Sequence, residues 1–222
     1  MPARPSELAV RPIDETTNQT AVDDTPHDPF SIHRASAAVF RPGGTDWNRA
    51  FMSNGNQHPA ALDVEQLLKE CEMRTVRRSG PGGQHRNKVE TAVVLTHRPT
   101  GRTAEANERR SQADNRKVAV FRLRLKLALA ERRLRVEDDS PSRLWADRCR
   151  GGRIAVNPGH DDFPALLAEA LDFLASAEFD VGAAAERLGC TGSQLTKFLQ
   201  REPGAFAWVN SRRSERGLHR LR

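Results

Sequence analysis

The chain has 222 residues, 37% hydrophobic and 29% charged, a size and balance that suit one domain with tails or two small domains. Its formal charge of +6 is uneven: residues 61–135 hold eighteen Lys/Arg against nine Asp/Glu, while the flanking segments come to −2 before and −1 after. No apolar run approaches the ~20 residues that span a bilayer, and the N-terminal stretch has neither a secretion-signal core nor the acid-poor composition of an organellar leader, so a cytoplasmic protein without membrane contact is expected.

Residues 1–58 lack hydrophobic periodicity and are rich in Pro, Thr, Asp, Asn and Gly, which predicts a disordered N-terminal tail. Met52 is an alternative start of translation. Asp63 followed by Gln66 reads as a capping box, with Leu67, Leu68 and Cys71 forming the apolar face of a helix near 63–71. Met73–Arg78, Val89–His97 and Arg102–Asn107 read as strands, the last two joined by a Pro99-Thr100-Gly101 turn. Residues 111–135 contain no Gly or Pro and are rich in Ala, Leu, Arg and Lys. They predict one long helix capped by Ser111, with Val118, Phe121, Leu125 and Leu129 as its stripe and Leu123 and Leu127 on the flank.

Residues 137–160 read as a linker, and 161–222 as a helical C-terminal segment. That segment begins with a helix over Pro164–Ser176. In the hairpin that follows, Ala184, Ala185, Leu188, Gly189, Leu195 and Phe198 fit helix-turn-helix spacing. The second helix of that hairpin offers only Gln194 and Lys197 for contacts, so a structural hairpin, a DNA reader and a docking module remain alternatives. Ser211–Arg222 carries five Arg against one Glu, as a short basic tail or as a helix end packed on the domain. Cys71, Cys149 and Cys190 are scattered, with no disulfide framework or zinc spacing. Free thiols, and no metal, are expected.

The basic segment centres on Arg77-Arg-Ser-Gly-Pro-Gly-Gly-Gln-His-Arg-Asn-Lys88, set between two predicted strands. Four successive turn formers, Ser79–Gly82, cannot sit inside a strand. Gly82 and Gly83 open backbone angles and close approaches denied to other residues. Arg77, Arg78, Arg86 and Lys88 put charge around this tip, as insertion into an RNA-walled site requires. The run lacks both common nucleotide-binding glycine signatures, so from its residues alone it remains either a functional loop or a hairpin turn.

The stretch Ser79–Val93, with His97-Arg-Pro-Thr-Gly101 and Arg110-Ser-Gln-Ala-Asp-Asn-Arg116 following in order, resembles class I peptide-chain release factors. The resemblance covers roughly residues 72–135 and implies an α+β domain over 59–136: a small β-sheet with a long packed helix, followed here by an all-α segment. It further implies peptidyl-tRNA ester hydrolysis in the ribosomal peptidyl-transferase centre, by a monomer without cofactors. Gly82 and Gly83 would shape the loop, and the Gln84 N–H would face the developing oxyanion. Arg77, Arg78, Arg86, Lys88, Arg110 and Arg116 would meet ribosomal RNA, while Asn87, Ser111, Gln112 and Asn115 would contact RNA or hold the fold. No stop-codon-reading segment is recognisable, which points to codon-independent release or rescue of stalled complexes. The alternative is a non-catalytic ribosome- or RNA-binding adaptor that keeps the fold.

Overall fold

The structure is a computed structural model that describes residues 57–77, 91–133, 135–136 and 138–222. The expected disordered tail, apart from Gln57 and His58, and the Gly-rich loop from Arg78 to Lys88 lie outside the described residues. Gln57 and His58 belong to the fold. His58 is buried, and its Nδ1 accepts the Ala60 N–H at 3.0 Å, capping a short 3-10 turn over Pro59–Ala61.

Helix α1, Val64–Lys69, has Asp63 at its N-cap, but the carboxylate makes no cap bond. The expected capping box is therefore not formed on that side. Three antiparallel strands follow in the order β1 (Cys71–Val76), β2 (Ala92–His97), β3 (Thr103–Ala106). Met73 lies opposite Leu95, and Leu95 opposite Ala104. Alternation sends Val93, Leu95 and His97, with Ala104 and Ala106, to one buried face. The small alanines of β3 leave room there for a helix.

That helix is α2, Gln112–Ala130, capped by Ser111 Oγ, which accepts the Asp114 N–H at 3.3 Å. It ends five residues short of the expected 135. Arg132 turns back, and its Nη2 donates to the carbonyls of Ala128 at 2.5 Å and Leu129 at 2.6 Å. These are orphan acceptors of a last helical turn. The buried stripe also differs from the expected one. Asn115, Ala119, Leu123 and Leu127 form it, joined by Val120 and Ala128, while Val118, Phe121, Leu125 and Leu129 are half-buried. The helix is covered on two sides, by the sheet and by α4, and the closest packing goes to the i, i+4 row containing small residues rather than to the bulkiest side chains.

Residues 143–154, inside the expected linker, hold helix α3 (Arg143–Arg148) and a hairpin of β4 (Cys149–Arg150) and β5 (Arg153–Ile154). The buried Glu169 carboxylate accepts both the N–H and the hydroxyl of Ser142 at 2.6 Å, fixing the start of α3. Ser142 Oγ in turn accepts the Trp145 N–H at 3.0 Å. The Trp145 indole is buried and donates to the Leu188 carbonyl at 2.7 Å. An element of six residues is too short for helical periodicity to reveal.

Helix α4, Phe163–Ser176, is buried at every position from Phe163 to Leu174. A helix covered all round is central to its domain. It packs on α2 and also on the bundle of α5 (Val181–Arg187), α6 (Gly192–Leu199) and α7 (Pro203–Glu215). Phe163 meets Phe198 at 5.4 Å between ring centroids, and Phe179 meets Trp208 at 5.3 Å. Beyond α7 the chain folds back: Asn210 Oδ1 accepts the Leu221 N–H at 2.7 Å. Ser211–Glu215 finish α7, while Ser214–Arg220 are exposed, so the segment is a helix end followed by an exposed basic stretch. One continuous set of buried side chains runs from Ala60 to Val209, so sheet and C-terminal helices share a core. No helix among the described residues is long and apolar enough to cross a membrane.

Candidate nucleic-acid interface

The strand register brings four chain segments to one end of the sheet. Val76 pairs with Ala92, and Val93 with Ala106, so Arg77, Thr91 and the end of β3 are neighbours. The described chain stops at Arg77 and resumes at Thr91 at this end. The N-terminus of α2 reaches the same end, because Asn115 in its first turns binds both arms of the frame. Its Nδ2 donates to the Thr91 carbonyl at 2.7 Å and to the Arg109 carbonyl at 2.9 Å. Its Oδ1 accepts the Arg109 N–H at 2.9 Å. The side chain is fully buried. A flipped amide would set its oxygen against two carbonyls, so these partners define its orientation. Asn115 is thus a fold-holding residue, and so is the capping Ser111.

Arg77, Arg110 and Arg116, three of the cations singled out in the sequence, are exposed at this end. Arg109 and Lys117 are exposed beside them and were missed, because neither falls on the positions that carry the resemblance. Glu108 is turned to the side, held by the Arg122 guanidinium and by the Asn107 N–H at 2.7 Å. The partial positive charge at the start of a helix adds to the same field. Gly82, Gly83, Gln84, Arg78, Arg86 and Lys88 lie outside the described residues. What the structure brings together is the strand frame on which their loop is mounted.

The His97–Gly101 stretch lies at the opposite end of the sheet and holds the fold. His97 is buried, with Nε2 2.9 Å from a Glu70 carboxylate oxygen and Nδ1 2.8 Å from the Thr100 hydroxyl. Arg98 donates to the Lys69 and Glu70 carbonyls. Gly101 takes φ +67°, the turn conformation that glycine permits.

Residues 61–151 match the family model of the RF-1 domain. Peptide chain release factor 1 of Mesoplasma florum is 44% identical over 75 residues, which is 33% of this chain and 21% of that protein. Its counterpart in Rickettsia typhi is 38% identical over 84 residues, 38% of this chain and 24% of that one. By these residues the stretch 61–151 is similar to the RF-1 domain of peptide chain release factors. It spans about a fifth to a quarter of the length of these curated relatives. The release-factor region takes in the sheet, α2 and α3 and ends within the β4–β5 hairpin. Helices α4 to α7 lie beyond it, yet they complete its core.

Proposed function

We propose that this protein hydrolyses the ester bond of peptidyl-tRNA in the large-subunit peptidyl-transferase centre, releasing peptides from stalled ribosomes without reading a codon. The observation that carries the reading is the position of Ser79–Lys88: a Gly-Gly-Gln run, within the region that matches the RF-1 domain, between two paired strands whose exit is held by Asn115.

In this reading Gly82 and Gly83 give the tip its backbone freedom. The Gln84 N–H donates to the oxyanion that forms as water attacks the ester carbonyl, and the Gln84 side chain positions that water. One oxyanion donor is worth ~10²–10³ in rate in comparable enzymes. Arg77, Arg78, Arg86, Lys88, Arg110 and Arg116 bind RNA phosphates around the loop. Ribosome and transfer RNA supply the rest of the site.

The test is release of labelled peptide from ribosomes stalled on a message lacking a stop codon, beside complexes halted at a stop codon. Wild type is expected to release both, and Gly83→Ala neither. Gln84→Pro, which removes the N–H, is expected to lose activity completely, whereas Gln84→Ala retains a measurable fraction. Ribosome binding without release on either complex would replace the enzyme with the adaptor reading.

A further inference from the structure

A second cationic feature sits on the β4–β5 hairpin. Gly151 and Gly152 have φ +57° and +74°, the two successive positive angles of a type I′ turn. A Cβ at either glycine would meet nothing within 4 Å, so the tip is open on its outer side. This tight turn sets Arg150 directly across from Arg153. The base of the hairpin is anchored. Ile154 is buried, the Cys149 thiol lies 3.6 Å from the Gly189 carbonyl, and β5 packs on α6.

Like charges placed directly opposite on paired strands repel. Nothing within the described fold offsets this pair: both side chains are exposed, and neither bonds to another described residue. The arginines nearby are spent internally. Arg148 pairs with Asp162 at 2.5 Å, Arg187 donates to the Val136 carbonyl at 2.6 Å, and Arg201 donates to the Val156 carbonyl. Arg143 pairs with Asp147 on α3, so the charge left on the hairpin is that of Arg150 and Arg153.

We propose that Arg150 and Arg153 form a phosphate clamp for RNA, a contact point separate from the loop end of the sheet. Directly opposed residues have Cβ atoms about 5 Å apart. From that spacing two guanidinium forks converge on one phosphate or bracket two neighbours, each donating paired N–H bonds. The anion relieves the repulsion that the hairpin otherwise carries. RNA fits better than a peptide because the tip offers no apolar surface. The large apolar side chains exposed among the described residues, Val64, Met73, Val136 and Leu218, are outside the hairpin. Contact through charge and glycine backbone alone reads the phosphate chain and not base sequence.

The test is fluorescence anisotropy of the full chain with a labelled RNA stem-loop, titrated over a range of salt. Arg150→Ala/Arg153→Ala is expected to bind about tenfold more weakly, with the slope of log K against log salt shallower by roughly 0.7–1.8, for one or two phosphates. Arg150→Lys/Arg153→Lys keeps the charge without the fork, and so is expected to retain the slope and part of the affinity. Arg110→Ala/Arg116→Ala is expected to lower affinity additively with the alanine pair. Unchanged affinity and slope in the alanine pair would overturn the clamp. So would normal RNA binding combined with lost ribosome binding, which would assign the pair to a protein surface. Wild type that binds RNA through the pair yet releases no peptide would sink the hydrolase reading and leave the clamp standing.

Discussion

Asn115 concentrates three hydrogen bonds on one buried amide, and they join the loop exit at Thr91 to the approach to α2 at Arg109. Asn115→Asp has the same shape but faces two carbonyls with an oxygen. It is expected to cost about 2–4 kcal/mol in urea unfolding and to reduce peptide release at temperatures where the protein is still folded. A variant with wild-type midpoint and release would show that Thr91 is held by other means. Two further buried groups govern acid stability in opposite senses. Burial lowers His58 from 6.5 to about 3, against the pull of its bond to the Glu131 carbonyl, with Arg132, Arg133 and Arg135 adding to the lowering. Burial raises Asp172 from 3.8 to about 6, with Arg132 and the Arg133 N–H opposing. The unfolded chain protonates His58 below pH 6.5 and the folded chain does not until about 3, so stability is lost as pH falls. Folded Asp172 takes its proton near 6 and the unfolded residue near 3.8, so across that interval stability is gained as pH falls. The two effects offset each other between pH 6 and 3.8. In Asp172→Asn the gain disappears, and stability relative to wild type is expected to fall by up to ~1.4 kcal/mol per pH unit across that interval. Denaturant midpoints of the two proteins measured over the interval check this, and parallel curves would contradict it.

At the scale of elements, α2 decides how sheet and helices meet. Leu123 is fully buried and Phe121 only partly. Leu123→Ala is therefore expected to cost about 3–4 kcal/mol, and Phe121→Ala less than half of that, in urea unfolding. The reverse order would restore the stripe expected from the sequence. The strands were legible because Val93, Val94 and Thr96 favour extended backbone and Pro99-Thr100-Gly101 favours a turn. Their ends moved by up to three residues, the end of β2 at His97 not at all, because pairing with a neighbour sets where a strand stops. The α2 face was less legible: apolar bulk marks what is hidden, but Ala119 and Asn115 are buried because of what lies against them. The β4–β5 hairpin was not read at all, although Gly151-Gly152 carried the signal of a two-residue turn. Its strands of two residues show no alternation.

For the whole molecule, the shared core means that the release-factor region is not a free-standing unit. A chain ending at residue 135 loses α4, and with it the Asp172 carboxylate that pairs with Arg132 at 3.4 Å and accepts the Arg133 N–H at 2.9 Å. That fragment is expected to show no cooperative thermal transition by calorimetry. A transition near that of the full chain would mean the core can be divided. The sequence by itself determined the mixed α and β class and the likeness of residues 61–151 to the RF-1 domain. Strand propensity, the Gly-Gly-Gln loop and the clustered charge are local properties that residues carry with them. It also named Arg77, Arg110 and Arg116, which the fold gathers at one end of the sheet. Only the tertiary structure decided that Asn115 ties the loop exit to α2, that residues 137–160 include a helix and a charged hairpin, and that α4 completes the core. Each of these depends on which distant groups meet. A buried amide, carboxylate or alanine takes its role from partners that lie 24 or 39 residues away along the chain.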